Sequence, residues 1–210
     1  MRVPGNSNLT VLDNQSFNGL TVYHKPLVKE YLERIQDFLE MSLNEYSRLY
    51  VLRFDLRYPF KYYCFENSSD IKNFIAKLNS RLDADLKRKG KQGKCHMRYV
   101  WVKEKEYSDN YHYHVAISLN KDVYFTKGKY NSKENNLSKI IKDAWESVVE
   151  NCIPGQSELV HFCDNGDYWI NDKDKNGRNY KDCFYRLSYL AKIKTKEFGT
   201  GLKNFGSSRK

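Results

Sequence analysis

Tyr111-His112-Tyr113-His114-Val115-Ala116-Ile117-Ser118-Leu119 decides how the chain is read. Its alternation of side-chain character is the period of a β-strand, in which successive residues point to opposite faces. Tyr113, Val115, Ile117 and Leu119 make a core face, and His112, His114, Ala116 and Ser118 take the other. Two adjacent imidazoles on one face supply two ligands for a divalent metal, and a third, from oxygen, is needed nearby. Residues 98–106 form a second strand, and Tyr107-Ser108-Asp109-Asn110 is the turn that folds it onto the His strand as an antiparallel hairpin. That partner strand offers Glu104 and Glu106, two residues apart and hence on the same face.

Outward from the hairpin, Leu27, Val28, Tyr31, Leu32, Ile35, Phe38 and Leu39 recur at helical spacing, which predicts an amphipathic helix over residues 26–45. Residues 50–57 alternate again, with Leu52, Phe54 and Leu56 on one face and Arg53, Asp55 and Arg57 on the other. Pro59 ends that strand because it cannot donate to a ladder. Ser69 then caps a helix whose stripe is Ile71, Phe74, Ile75, Leu78 and Leu82, and whose far end dissolves into a basic, Gly-containing loop at 87–94. Leu137, Ile140, Ile141, Ala144, Trp145, Val148 and Val149 mark another helix, closed by Pro154-Gly155. A short strand at 158–163, a polar turn at 172–178 and a helix at 181–192 follow. No internal repeat is visible.

After the first helix the order is strand, helix, strand, strand, helix, strand, helix. The class is therefore α+β, and the first six elements are those of a ferredoxin-like (RRM-like) split βαβ unit, an antiparallel sheet with two helices on one face. The other face is expected to be open, with His112 and His114 towards the opening and the last helix free to cover it. Residues 1–20 are polar and aperiodic and read as an N-terminal extension. Residues 21–192 read as a single domain and 193–210 as a basic C-terminal tail.

Length allows one domain with a sizeable core. The chain has 36 basic against 26 acidic residues, a formal charge of +10, and 17 Tyr, 11 Phe and 3 Trp among the charges. Basic surface interleaved with rings is the composition of a single-stranded nucleic-acid binder. No apolar run approaches a membrane span and the N-terminus lacks the order of a signal peptide, so a cytoplasmic protein without membrane partners is expected. The cysteines, Cys64, Cys95, Cys152, Cys163 and Cys183, are odd in number and form no C-x-x-C pair. That argues against a disulfide framework or a structural zinc site. His161-Phe162-Cys163 has metal-pair spacing but no companion pair, and reads as core packing.

The last helix carries further chemistry. Tyr185, Tyr189 and Lys192 fall on one helical stripe, and Phe184, Leu187, Leu190 and Ala191 on the apolar one. A lysine one turn from a tyrosine lowers the cost of the phenolate and can hold a phosphate oxygen.

The His-hydrophobic-His strand followed by Tyr-x-x-Lys resembles the HUH endonucleases, the rolling-circle replication initiators and relaxases that nick single-stranded DNA through a tyrosine. More closely, Val51-Leu52-Arg53-Phe54-Asp55-Leu56-Arg57, Trp101-Val102-Lys103-Glu104, His112-Tyr113-His114-Val115, Ala144-Trp145 and Ser188-Tyr189-Leu190-Ala191-Lys192 look like the inovirus gene-2-type family of phage and prophage replication proteins, which includes the YagK/YfjJ C-terminal domain. The resemblance covers roughly residues 48–208, by short motifs in the right order. It implies an HUH-type fold and a metal-dependent nickase that leaves a 5′-phosphotyrosine and a free 3′-OH.

By that resemblance His112 and His114 bind a divalent metal, Mg²⁺ or Mn²⁺, with Glu104 as third ligand at the Trp-x-x-Glu position and Glu106 as the neighbouring choice. Tyr189 is the nucleophile and Lys192 stabilises the phenolate or transition state. Tyr185 has the i, i+4 spacing of two-tyrosine initiators, although Ser188 stands where that pattern often has lysine. Arg53 and Arg57 on the open face, with Lys91, Lys94 and Lys103, are expected to hold DNA phosphates rather than read bases. Tyr99, Trp101 and Tyr111 are candidate stacking platforms. No helicase motif is present, so unwinding would come from a host helicase or replication partner. Two other readings stand beside this one: a catalytically inactive DNA-binding regulator or defence component on the same scaffold, and a zinc-dependent hydrolase that would need neither Tyr189 nor a basic surface.

Overall fold

Residues 1–59, 69–90, 95–105, 110–129, 135–149, 159–174 and 176–209 are described by the structure, a computed structural model. The elements in chain order are β1 (Arg2–Val3), β2 (Asn6–Leu12), β3 (Ser16–Phe17), β4 (Leu20–Thr21), β5 (Leu27–Val28), α1 (Lys29–Glu45), β6 (Arg48–Arg57) and α2 (Ser69–Arg88). They continue with β7 (Arg98–Glu104), β8 (His112–Asn120), α3 (Leu137–Glu146), β9 (Val160–Asn171), α4 (Arg178–Ser188) and β10 (Phe205–Ser207). Among the described residues no helix is long and apolar enough to cross a membrane.

The main sheet runs β10-β7-β8-β6-β9, antiparallel at every junction. The expected hairpin is there, and its register sets Glu104 directly opposite His112 and Val102 opposite His114. β6 lies in the middle, setting Asp55 opposite His114 and Arg57 opposite His112. The residues of that strand are buried except at its two ends because helices cover both faces.

One face packs on α2 and α3. Leu52, Phe54, Tyr113, Val115 and Ile117 meet Phe74, Leu78, Ile141 and the fully buried Trp145. Each such side chain contributes about 1.5–3 kcal/mol by leaving water. Trp145 also donates its indole N–H to the Arg57 carbonyl at 2.8 Å, which satisfies its one polar atom.

The opposite face was expected to be open and is not. α1 and α4 both lie on it, with Leu32, Ile35, Leu39, Phe184 and Leu187 against Val51, Val100, Val102 and Ala116. Ser118, on the His face, shares a 2.6 Å hydrogen bond with Ser42 of α1, so the helix closes that end of the face. At the end of the face carrying the histidines, His112 is half-buried and His114 buried.

Residues 1–20 also depart from the expected extension. They form β1 to β4, and Val3, Phe17 and Leu20 are buried, with Phe17 stacked on Phe184 of α4. The hairpin β3–β4 turns at Asn18-Gly19, both at positive φ (48° and 77°). That is the backbone of a two-residue hairpin turn, for which Asn-Gly is the favoured pair. Nor is the chain after 193 a tail: Lys196 and Asn204 are buried, and β10 adds an edge strand to β7.

β9 is longer than the strand expected at 158–163, because Cys163-Asp164-Asn165-Gly166 has a turn-like composition yet forms a bulge. A Cβ on Gly166 would stand 2.7 Å from the Arg53 carbonyl, so glycine is required where β9 closes on β6. Asn165 takes positive φ (54°) beside it.

Candidate metal and tyrosine site

Alternation along β7 and β8 turns Glu104, His112 and His114 to the same face, and the register brings them together. One donor atom from each lies within 4.8 Å of the others. Glu106, the other expected ligand, lies outside the described residues. Glu104 and His114 are buried, at 1% and 7% exposure, whereas His112 is half-buried and edge-on to His114 with ring centroids 4.8 Å apart.

The site meets the chemical requirements of a metal. Asp55, opposite His114 on β6, receives the His114 Nδ1–H at 2.5 Å. With its proton held on Nδ1, His114 turns the Nε2 lone pair inward, to 3.3 Å from Glu104 Oε2. A carboxylate on the far nitrogen is the usual support of a metal-binding histidine, because it fixes tautomer and ring orientation and raises basicity. Burial alone would raise the Asp55 pKa, but the hydrogen bond and charge of His114, with the nearby Arg53, hold it at about 2. Two imidazoles and one carboxylate suit a divalent transition metal or, with water completing the shell, Mg²⁺.

Glu104 is held by more than the histidines. Its Oε2 accepts from Thr195 Oγ1 at 2.8 Å and lies 2.9 Å from Lys192 Nζ, while Oε1 lies 2.7 Å from Lys196 Nζ. Burial would push the Glu104 carboxyl up, yet His114 and Lys196 outweigh it and hold the group well below the usual carboxylate range. Burial pushes Lys196 down to about 8 despite Glu104. Lys196 and Thr195 sit in the stretch read as a basic tail, where composition gives no sign of a buried cation.

Tyr189 follows directly on α4. The expected helix over 181–192 ends at Ser188, and Tyr189–Ala191 forms a 3-10 turn. Side chains three apart eclipse in such a turn, and Lys192 accordingly stands over the Tyr189 ring at 4.0 Å and donates to its hydroxyl. The Tyr-x-x-Lys pair is thus joined, and through Lys192 it is joined to Glu104. The Tyr189 ring is edge-on to His114 at 5.8 Å and to Tyr23 at 5.0 Å.

Tyr185, by contrast, is exposed and lines a shallow depression with Asp167, Trp169 and Arg186. Ser188 is fully buried, accepting from the Tyr23 N–H at 2.8 Å and donating to the Tyr185 carbonyl at 2.6 Å.

The expected phosphate-binding residues separate by position. Arg53 is buried inside the site, 3.4 Å from Asp55, with its guanidinium 5.6 Å from the Tyr189 ring centroid. Its Nε–H is buried with no acceptor among the described residues. Arg57 is exposed at the sheet end beside His112. Lys103 points to the other face of β7 from Glu104 and is buried over the Tyr111 ring at 4.3 Å, so it is a structural cation. Tyr111 and Trp101 are likewise buried, and Tyr99 is partly so. Lys91 and Lys94 lie outside the described residues. Cys163, expected in the core, is buried and 2.8 Å from Arg53 Nη1.

Residues 12–208 match the YagK/YfjJ C-terminal domain family. Two Escherichia coli K12 proteins, each named only as uncharacterized, are similar at 33% identity: YfjJ, with 87% of this chain and 95% of that protein covered, and YagK, with 89% and 95%. No solved structure matches the chain.

Proposed function

The chain belongs to the YagK/YfjJ C-terminal domain family, and we propose that it is an HUH-type nickase that cuts and rejoins single-stranded DNA through Tyr189. The observation that carries this reading is the bridge made by Lys192, which touches the Tyr189 hydroxyl on one side and Glu104 of the His112–His114 cluster on the other. A zinc hydrolase has no use for that bridge. The strand order β9-β6-β8-β7 supports the fold half of the proposal, because it is the 4-1-3-2 order of a ferredoxin-like split βαβ unit.

His112, His114 and Glu104 would hold the divalent ion. When bound it polarises the scissile phosphate. Lys192 stays cationic: burial would lower its pKa, but the Tyr189 hydrogen bond and Glu104 raise it above the ordinary value. It therefore acts as a charge beside the phenolate rather than as a base. The Arg53 guanidinium, 5.6 Å from the Tyr189 ring centroid, would add positive charge beside the phosphate. Tyr189 Oη forms a bond to phosphorus as the bond from phosphorus to the 3′-oxygen breaks. The tyrosine gives up its proton and the leaving oxygen ends as a 3′-OH. One phosphodiester replaces another, so the step runs backwards as joining. Exposed Tyr185 takes no part in the first cut.

The test is covalent capture of a labelled single strand with Mg²⁺ or Mn²⁺. Wild type and Tyr185→Phe should form the adduct on the 5′ end of the downstream fragment, and Tyr189→Phe should form none while still binding DNA. An adduct that survives Tyr189→Phe, or metal-dependent cleavage with no adduct, would overturn the proposal.

A further inference from the structure

We infer that the edge of the sheet at β10 carries a second, non-catalytic binding groove, which holds the single strand flanking the cut. The inference takes its ligand from the nickase reading. Between α1, α2 and β10 lies a groove of about 730 Å³. Its cations are Arg34, Lys72, Lys203 and Arg209, and no acidic side chain lines it. All four are exposed. Lys72, Lys203 and the Arg209 side chain have no ion-pair partner among the described residues, and Arg34 has only a solvent-exposed one, 3.7 Å from Asp37. Cations spaced along a groove without counter-charges attract a polyanion.

The floor of the groove is apolar, Ile71 and Ile75 lying beside the half-buried rings of Tyr99 and Phe205. Tyr99, Trp101 and Phe205 all line it, Phe205 being stacked on Tyr31 with centroids 4.3 Å apart. Gly206 crosses the Trp101 indole so closely that a Cβ there would stand 2.5 Å from it, so buried Trp101 underlies the groove while Tyr99 and Phe205 offer their rings to it. Rings below and cations along the rim are the chemistry of unpaired bases on a phosphate backbone. A duplex keeps its bases stacked inside and would meet only the rim, and an acidic peptide brings no flat rings for the floor.

Position ties the groove to the tyrosine. Trp101 and Glu104 are three residues apart on β7, about 10 Å along the strand and on opposite faces of it, so groove and site meet at the β10 edge rather than on one face. The groove shares Arg34, Lys203 and Phe205 with a second hollow, of about 520 Å³, which reaches Phe198. Phe198 is two residues beyond Lys196, the partner of Glu104. Arg34 and Lys203 are common to both hollows, the second of which also carries Glu30, so the charged edge extends to within two residues of Lys196.

Binding of a fluorescent single-stranded oligonucleotide is measured with chelator present and on a Tyr189→Phe background, so that no covalent chemistry enters. Lys72→Ala/Lys203→Ala/Arg209→Ala should lower the salt slope by about 2, at about 0.7 per phosphate contact, so over about a fourfold rise in salt its affinity falls roughly 20-fold less than the parent's. A control that removes three exposed cations near α4 (Lys173→Ala/Arg178→Ala/Lys181→Ala) should leave the slope unchanged. Tyr99→Leu should weaken single-strand binding about fivefold or more, leaving duplex binding unchanged. Equal slopes for the two triple variants, or loss of duplex and single-strand binding alike in Tyr99→Leu, would overturn the groove. The two proposals fail separately: a groove that passes while wild type forms no adduct sinks only the nickase, and an adduct with equal slopes sinks only the groove.

Discussion

Asp55→Asn isolates the support of His114 from the ligand itself. The substitution keeps shape and volume but removes the carboxylate that receives Nδ1–H at 2.5 Å. An asparagine amide can also donate to Nδ1, which would put the proton on Nε2, where a metal needs the lone pair. Asp55 is lowered from an ordinary 3.8 to about 2, burial opposing and His114 and Arg53 prevailing. That displacement is worth about 2 kcal/mol of folding stability. The sign follows from a depressed carboxylate: the contribution is complete above the unfolded value near 3.8 and is lost as pH falls through about 2. Asp55→Asn should therefore cost about 2 kcal/mol at neutral pH, or roughly 4–8 °C in Tm for a chain of this size. The gap to wild type should close as pH drops towards 2. Calorimetric titration with Mn²⁺ should show affinity reduced about 10- to 100-fold. Unchanged Mn²⁺ affinity in a variant that has lost the expected stability would refute the metal-supporting role. Unchanged stability would refute the hydrogen bond itself.

Lys196→Met should be strongly destabilising, by about 3–5 kcal/mol, because it leaves the Glu104 charge buried with fewer partners; combining it with Glu104→Gln should recover part of that loss, and strict additivity in denaturant titration would contradict the pairing. Ser188→Ala orphans the Tyr23 N–H and should cost about 1–3 kcal/mol by the same assay; an unaltered midpoint would mean that the N-terminal strands are not held through Ser188. Gly206→Val should cost about 1–3 kcal/mol by overpacking and should change the Trp101 fluorescence; a silent Gly206→Val would contradict the close crossing of β10 over the indole.

The antiparallel hairpin and the shared face of Glu104, His112 and His114 were legible because two-residue periodicity fixes which side chains share a face, whereas the register that sets Glu104 opposite His112 was not. The coverage of the His face was not. α4 was expected to be free to cover it, but the burial of Ala116 and Ser118 under α1 depends on how a helix earlier in the chain swings back across the sheet. The N-terminal strands are too short for a periodic signal, although Asn18-Gly19 is a hairpin signature within the stretch read as aperiodic. Asp55 was detectable as a charge inside an apolar strand, Leu52-Arg53-Phe54-Asp55-Leu56, where an inward carboxylate needs a partner. Lys196 left no such trace, since a lysine among lysines and glycines reads as surface. The 3-10 turn at Tyr189 preserved the tyrosine–lysine pairing expected of a helix while leaving Tyr185 on the surface.

Lys196 meets Glu104 across 92 positions of sequence, Ser188 meets Tyr23 across 165, and Asp55 meets His114 across 59. Closures over such separations come late and slowly in folding, because loop entropy must be lost before the contact rewards it. The three donor residues share one hairpin, and the tyrosine and its lysines join them only when the segment after α4 has docked on β7. Half-folded chains hold the same residues, but the tyrosine–lysine pair has no common point with the Glu104, His112 and His114 donors. The assembled cluster is thus a mark of completed folding rather than of any one local element.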